Sequence, residues 1–289
     1  MSTHQRVSFG VKTAVQHTTY EDMLQAWLAA DAEPIIEHAW LNDHVLPPDD
    51  QLAGTCLESW TLLAALASQT KRLRLGIMVT SNTFRHPALL AKMAATIDRI
   101  SQGRLELGIG AGWNKDEHNA YGIPLYAPGE RIRRLDEACE LIKRMWTETA
   151  PSFNGTYYQT REAYCEPKPL QQPYPPFVIG GNGEQLMLRL VARHANIWNF
   201  VAGDPETFQH KNAVLDDHCS AIGRDPSTIE RSVQLTIDPD DLKATRAQLQ
   251  RFISTGATHV VLYLPPPYSA GIIHRLVKEV IGPLQEKTL

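Results

Sequence analysis

Eight short apolar runs alternate with eight helical patterns along this chain, and that alternation leaves few folds open. The strand-like runs fall at residues 7–11, 35–41, 73–79, 104–109, 177–179, 196–201, 232–237 and 258–264. Helical patterns fall between and after them, at about 20–30, 58–69, 87–100, 129–146, 184–193, 205–222, 240–255 and 270–284. In 129–146 the apolar residues Ile132, Leu135, Ala138, Leu141, Ile142, Met145 and Trp146 return at steps of three and four. They make one face of an amphipathic helix, with Arg133, Glu137 and Glu140 off it. Strands that alternate with helices pair in parallel. At 289 residues, with no composition break, this order predicts a single α/β domain over 1–289, a closed (β/α)8 TIM barrel. One irregular stretch, 150–176, holds the hairpin-type pair Asn154-Gly155, three tyrosines and the proline-rich exit PKPLQQPYPP. It is expected to be an insertion between the fourth helix and the fifth strand, packed over the barrel's top edge.

Charge and cysteine usage narrow the function. A net charge of -4 with no basic cluster argues against nucleic acid as a partner. Cys56, Cys139, Cys165 and Cys219 are scattered and never spaced as CxxC, as expected of reduced thiols in a cytoplasmic protein. The opening residues carry no signal-like apolar segment, and no run reaches the ~18 apolar residues of a membrane span. HExxH, paired-histidine, GxSxG and P-loop patterns are absent, so no metal is expected.

In a barrel of this kind the site lies where the strands end. The fourth strand ends in RLELGIGAGW (104–113). A glycine has no Cβ, so backbone of this kind can approach a flat ring or a phosphate closely. The spacing is not G-x-G-x-x-G, and a polar loop (NKDEHNAYGIP) follows in place of a helix, which argues against a Rossmann dinucleotide site. The second strand ends in Trp40-Leu41-Asn42-Asp43-His44, a carboxylate beside an imidazole and a candidate acid–base pair. Thr80, Ser81, Asn82 and Thr83 gather after the third strand. The fifth strand runs into Gly180-Gly181-Asn182-Gly183 and then a helical pattern, so that consecutive amides at a helix N-terminus would make an anion site. Trp198-Asn199-Phe200 either walls the same pocket or belongs to the core.

Taken in order, these pieces resemble the bacterial-luciferase-like family of flavin- and deazaflavin-dependent oxidoreductases. The resemblance rests on W-x-x-D-H (Trp40, Asp43, His44), on TSNTFRHPALLAKMAATIDRISQGRLELGIGAGWN (80–114), on the E-R-x-x-R-L-x-E helix (130–137) and on FVIGGNGEQLMLRLVARHANIWN (177–199). It implies a TIM barrel with its cofactor at the strands' C-terminal ends, and Gly180, Gly181, Asn182 and Gly183 on the cofactor phosphate. It implies a bulge behind the ring at Met78-Val79, often with a cis peptide bond. Thr80, Asn82, Gly110, Ala111 and Asn114 fall beside the ring, and Asp43 and His44 face substrate and cofactor. The GAGWN and DH forms are more similar to the members that use coenzyme F420 than to the FMN monooxygenases. Sugar-phosphate dehydrogenases of the family carry a glutamate at the position of Ala111 and a tryptophan at that of Pro48. This chain departs at both. The expectation is an F420-dependent oxidoreductase acting on a small molecule, with His44 moving the proton and Asp43 orienting it. An FMN-dependent monooxygenase fed by a separate reductase, a non-catalytic flavin-binding barrel and a cofactor-free lyase or isomerase stay open. The family resemblance further implies a homodimer.

Overall fold

The computed structural model describes residues 6–49, 51–201 and 203–285. Eight parallel strands close into a barrel: β1 (Ser8–Thr13), β2 (His38–Leu41), β3 (Arg74–Ile77), β4 (Leu105–Gly110), β5 (Phe177–Gly180), β6 (Ile197–Phe200), β7 (Glu230–Thr236) and β8 (His259–Leu264). Each pairs with the next, and β8 returns to β1 with His259 opposite Ser8, which closes the ring. A two-residue strand, Thr80–Ser81, extends the line of β3 and pairs with the end of β4. Between the two pieces lies a cis peptide bond at Met78-Val79, where the sequence placed it.

Helices cover the outside: α1 (Tyr20–Ala32), α2 (Ser59–Gln69), α3 (Pro87–Ile100), α4 (Lys115–Tyr121), α5 (Pro128–Thr147), α6 (Met187–His194), α7 (Pro205–Ala221), α8 (Leu242–Ser254) and α9 (Ile272–Leu276). The last continues as a π-helical segment, Val277–Ile281, and a final turn, Gly282–Gln285. Their starts are written locally. Thr19, Glu58, Asp204 and Asp241 accept from first-turn amides, and proline stands at the start of α3, α5 and α7. The apolar face of α5 buries Leu135, Leu141, Ile142 and Trp146 against the barrel. Each such side chain contributes about 1.5–3 kcal/mol. A second, small core fills the barrel itself: Trp40, Met78, Val178, Ile197 and Val261.

Three expectations need correction. Residues 115–121 are not a loop but the helix α4, capped by the Asn114 side chain and ended by Gly122 in the left-handed region. The helix after the glycine turn starts at Met187, not 184; Glu184 stands in the turn before it, its carboxylate bonded to Lys211 and His210. The segment 150–176 reaches the top edge through Tyr158, which meets Asn82 and His86, but most of it lies on the barrel's flank. It forms a hairpin, Phe153–Asn154 with Gln159–Thr160, whose loop amides at 156–158 donate to Glu137. It then runs down the flank of α3 until Gln171 reaches Asp98 and the Leu105 carbonyl at the start of β4.

Candidate active site

At the C-terminal mouth the strand ends surround a cavity of about 350 Å³. Of the residues expected there, Asp43, His44, Met78, Val79, Thr80, Gly110, Ala111, Asn114, Gly180 and Gly181 line it. Asn82 does not; its amide donates to Tyr158 Oη at 3.1 Å. Asn182 and Gly183 stand outside the cavity wall, and Asn182 ties the glycine loop to the Val201 backbone beyond β6. Trp198 is core, stacked on Phe208, with its indole N–H on the Gly181 carbonyl at 2.8 Å. Its neighbour Asn199 is the residue that faces the cavity.

The partner of His44 is not Asp43. His44 Nδ1 lies 3.1 Å from both carboxylate oxygens of Glu117, which comes from α4. One of these oxygens also accepts from the Val45 amide at 2.8 Å and the Leu46 amide at 3.3 Å. Burial alone would raise the Glu117 carboxyl; the bonds from His44 and these amides outweigh it and hold the group below the ordinary carboxylate range. An ionised Glu117 only accepts, so the shared proton sits on His44 Nδ1 and the lone pair on Nε2. Nε2 has no partner among the described residues, on a ring that lines the cavity.

Asp43 does different work. Its carboxylate receives Arg85 bidentately, at 2.7 and 3.0 Å, and the Ser81 amide at 2.8 Å. Its side chain is fully buried, and an unpaired charge there would cost several kcal/mol. Asp43 therefore pins the segment after the cis bond to the end of β2.

Glu117 is accompanied by two further residues of the wall. His118 Nδ1 lies 2.5 Å from the Asn114 carbonyl, which makes Nε2 the acceptor for Thr83 Oγ1 at 2.7 Å. Thr83 Oγ1 is 2.7 Å from Ser81 Oγ, so a chain of hydroxyls leads from the cavity to the imidazole. Lys12 enters from β1, 3.0 Å from Gln234 Oε1, and burial lowers its pKa to about 7. Glu117, His118, Arg85, Lys12 and Gln234 all escape a reading of strand ends. Lys12 alone left a trace, as a charge directly after the apolar run 7–11.

The bulge is shaped to receive a flat ligand. Val79 is seated between two glycines: a Cβ on Gly110 would meet it at 2.6 Å and one on Gly180 at 3.2 Å. Any side chain at 110 would displace it. Gly181 has φ +137°, open to glycine, and lets the loop turn past Met187. Apolar walls with a few convergent polar groups and a glycine turn beyond them fit a flavin or deazaflavin. Among the described residues there is no group of three or more metal-ligating side chains, and no helix is long and apolar enough to cross a membrane.

The Luciferase-like monooxygenase family matches residues 8–274. This chain belongs to that family. It is an oxidoreductase, and its relatives use both classes of flavin-type cofactor. An F420-dependent hydroxymycolic acid dehydrogenase of Mycobacterium tuberculosis is 30% identical over 254 residues, 86% of this chain and 69% of the relative. An FMNH2-dependent dimethylsulfone monooxygenase of Pseudomonas putida is 35% identical over 147 residues, 51% of this chain and 40% of that protein. In fold, an F420-dependent secondary alcohol dehydrogenase in complex with an F420–acetone adduct superposes with a TM-score of 0.85 at 18% identity, over 95% of this chain and 98% of that one.

Proposed function

We propose that this luciferase-like protein moves a hydride between coenzyme F420 and a small organic substrate, with His44 handling the accompanying proton. The observation that carries the reading is the His44–Glu117 pair on the cavity wall. Glu117 fixes the tautomer, so His44 Nε2 can take the proton of a substrate hydroxyl as the adjoining carbon gives up its hydride. In the reverse direction the imidazolium returns that proton to the carbonyl oxygen, and Glu117 balances its charge. A bound deazaflavin supplies the carbon that accepts or donates the hydride. Val79, Gly110 and Gly180 would lie behind its ring, and the turn at 180–183 would take its phosphate. The length of the match to the F420-dependent dehydrogenase supports this choice of cofactor.

The match to the dimethylsulfone monooxygenase favours a second reading, reduced FMN delivered by a separate reductase. A fluorescence titration of the cofactor-free protein separates the two. Tight binding of F420 with weak binding of FMN is expected. The reverse order would transfer the protein to the monooxygenases, and binding of neither would overturn the cofactor assignment.

A further inference from the structure

The N-terminal mouth of the barrel opens into a cavity of about 680 Å³, lined by residues that the proposed chemistry does not use. His38 and His259 belong to its wall and stack face to face, ring centroids 3.9 Å apart and planes 8° from parallel. A hydrogen bond fixes the tautomer of His38, whose Nδ1 is 2.7 Å from the indole nitrogen of Trp40, which can only donate. His38 therefore carries its hydrogen on Nε2. Ser232 Oγ receives Asn199 Nδ2 at 3.1 Å and lies 2.8 Å from His259 Nδ1. Both Nε2 atoms are buried without a partner among the described residues, and so is Oε2 of Glu106 on the same wall. Buried polar atoms are rarely left in this state, and three around one cavity mark a place for a ligand.

The geometry points to a second binding site here, for a small oxyanion of the carboxylate or phosphate class. On the wall with His38 and His259, Arg74, bonded to Glu106, and Arg6, bonded to Glu37, supply positive charge. Burial raises the Glu106 carboxyl even against Arg74, and burial and Glu106 together raise Glu230. Once protonated, Glu106 would offer a donor of its own. Metal binding at His38 is disfavoured, since its Nδ1 lone pair is already committed to Trp40.

The test is a histidine-detected ¹⁵N NMR titration of the whole protein with acetate and, separately, inorganic phosphate. The Nε2 signals of His38 and His259 are expected to shift saturably with at least one anion, while His44 stays in place. Shifts with only one of the two anions would assign the class. With acetate, wild-type affinity should rise as pH falls, because protonating Glu106 removes a negative charge from the wall and adds a donor. Glu106→Gln, whose amide donates at every pH, should bind at least as tightly and without that dependence. If neither anion moves the two signals, the cavity holds water alone and the proposal is wrong. If Glu106→Gln abolishes binding, the carboxylate was holding a cation and the oxyanion assignment falls.

Discussion

In the proposed mechanism His44 and Glu117 act as one unit, and each can be removed in a way that tests its part. His44→Ala should lower turnover by about 10²–10⁴, the usual worth of a positioned acid–base group, while cofactor affinity changes by no more than a few fold. Glu117→Gln keeps the shape of the partner and removes its charge. It should lower kcat and alter the pH profile with little change in KM, measured by steady-state kinetics across pH. An unchanged rate in His44→Ala would remove that residue from the mechanism. Lys12 poses a different test, because burial lowers its pKa from the ordinary 10.5 to about 7. Below about pH 7 the ammonium is charged in both folded and unfolded chains, and the full cost of burying it is present. Between about 7 and 10.5 only the unfolded chain keeps the proton, so stability rises with pH in that window. At ~1.4 kcal/mol per pKa unit the swing is on the order of 5 kcal/mol. Lys12→Met should therefore raise stability most near pH 6, with the gain shrinking towards pH 10, as read by urea unfolding. A gain that does not vary with pH would show that Lys12 is not a buried charge.

At the scale of elements the wall of the proposed site depends on α4. Asn114 accepts from the amides of Asp116 and Glu117, at 3.0 and 3.3 Å, and so starts the helix. Asn114→Ala should cost about 1 kcal/mol of stability. Because α4 carries Glu117 and His118, turnover should fall more steeply than the thermal midpoint, and equal retention of both would separate the helix from the site. The same helix shows where the sequence stops being legible. The barrel strands announce themselves because parallel strands are buried on both faces and read as apolar runs. The amphipathic α5 does so through its stripe. Helix α4 has seven residues, and the side chains it buries are Glu117 and His118, so it has no apolar period to find. Its signals were the cap at Asn114, the acids behind it and Gly122. Asp43 and His44 could be placed at a strand end from sequence. Their partners could not, since Glu117 lies 73 positions from His44, and Arg85 lies 42 from Asp43. Only closure of the barrel brings them together.

At the scale of the whole molecule the barrel has a polar mouth at each end and the five-residue apolar core within it. The lower mouth makes the fold sensitive to acid. Burial lowers His259 from 6.5 to about 3, and burial together with the charges of His259 and Arg74 lowers His38 well below its usual value. Above about pH 6.5 a histidine is neutral in both folded and unfolded chains, and its folded environment costs nothing electrostatically. Between about 6.5 and 3 the unfolded chain binds a proton that folded His259 refuses, so stability falls as pH falls. At ~1.4 kcal/mol per unit, His259 alone removes on the order of 5 kcal/mol across that window. Glu106 and Glu230 act in the opposite sense, since their raised carboxyls bind protons more readily in the folded chain. The wild-type curve is thus a sum, and the contribution of His259 is isolated by difference. His259→Gln removes the titrating group and keeps an amide in the space beside Ser232. The variant should be less stable than wild type at pH 7 through lost packing and stacking on His38. Its stability, from urea unfolding, should fall less steeply towards pH 4, so that the gap between the two proteins narrows as acid is added. Parallel curves would mean that folded His259 takes up its proton freely, and that the lower mouth is open to water rather than closed around its imidazoles.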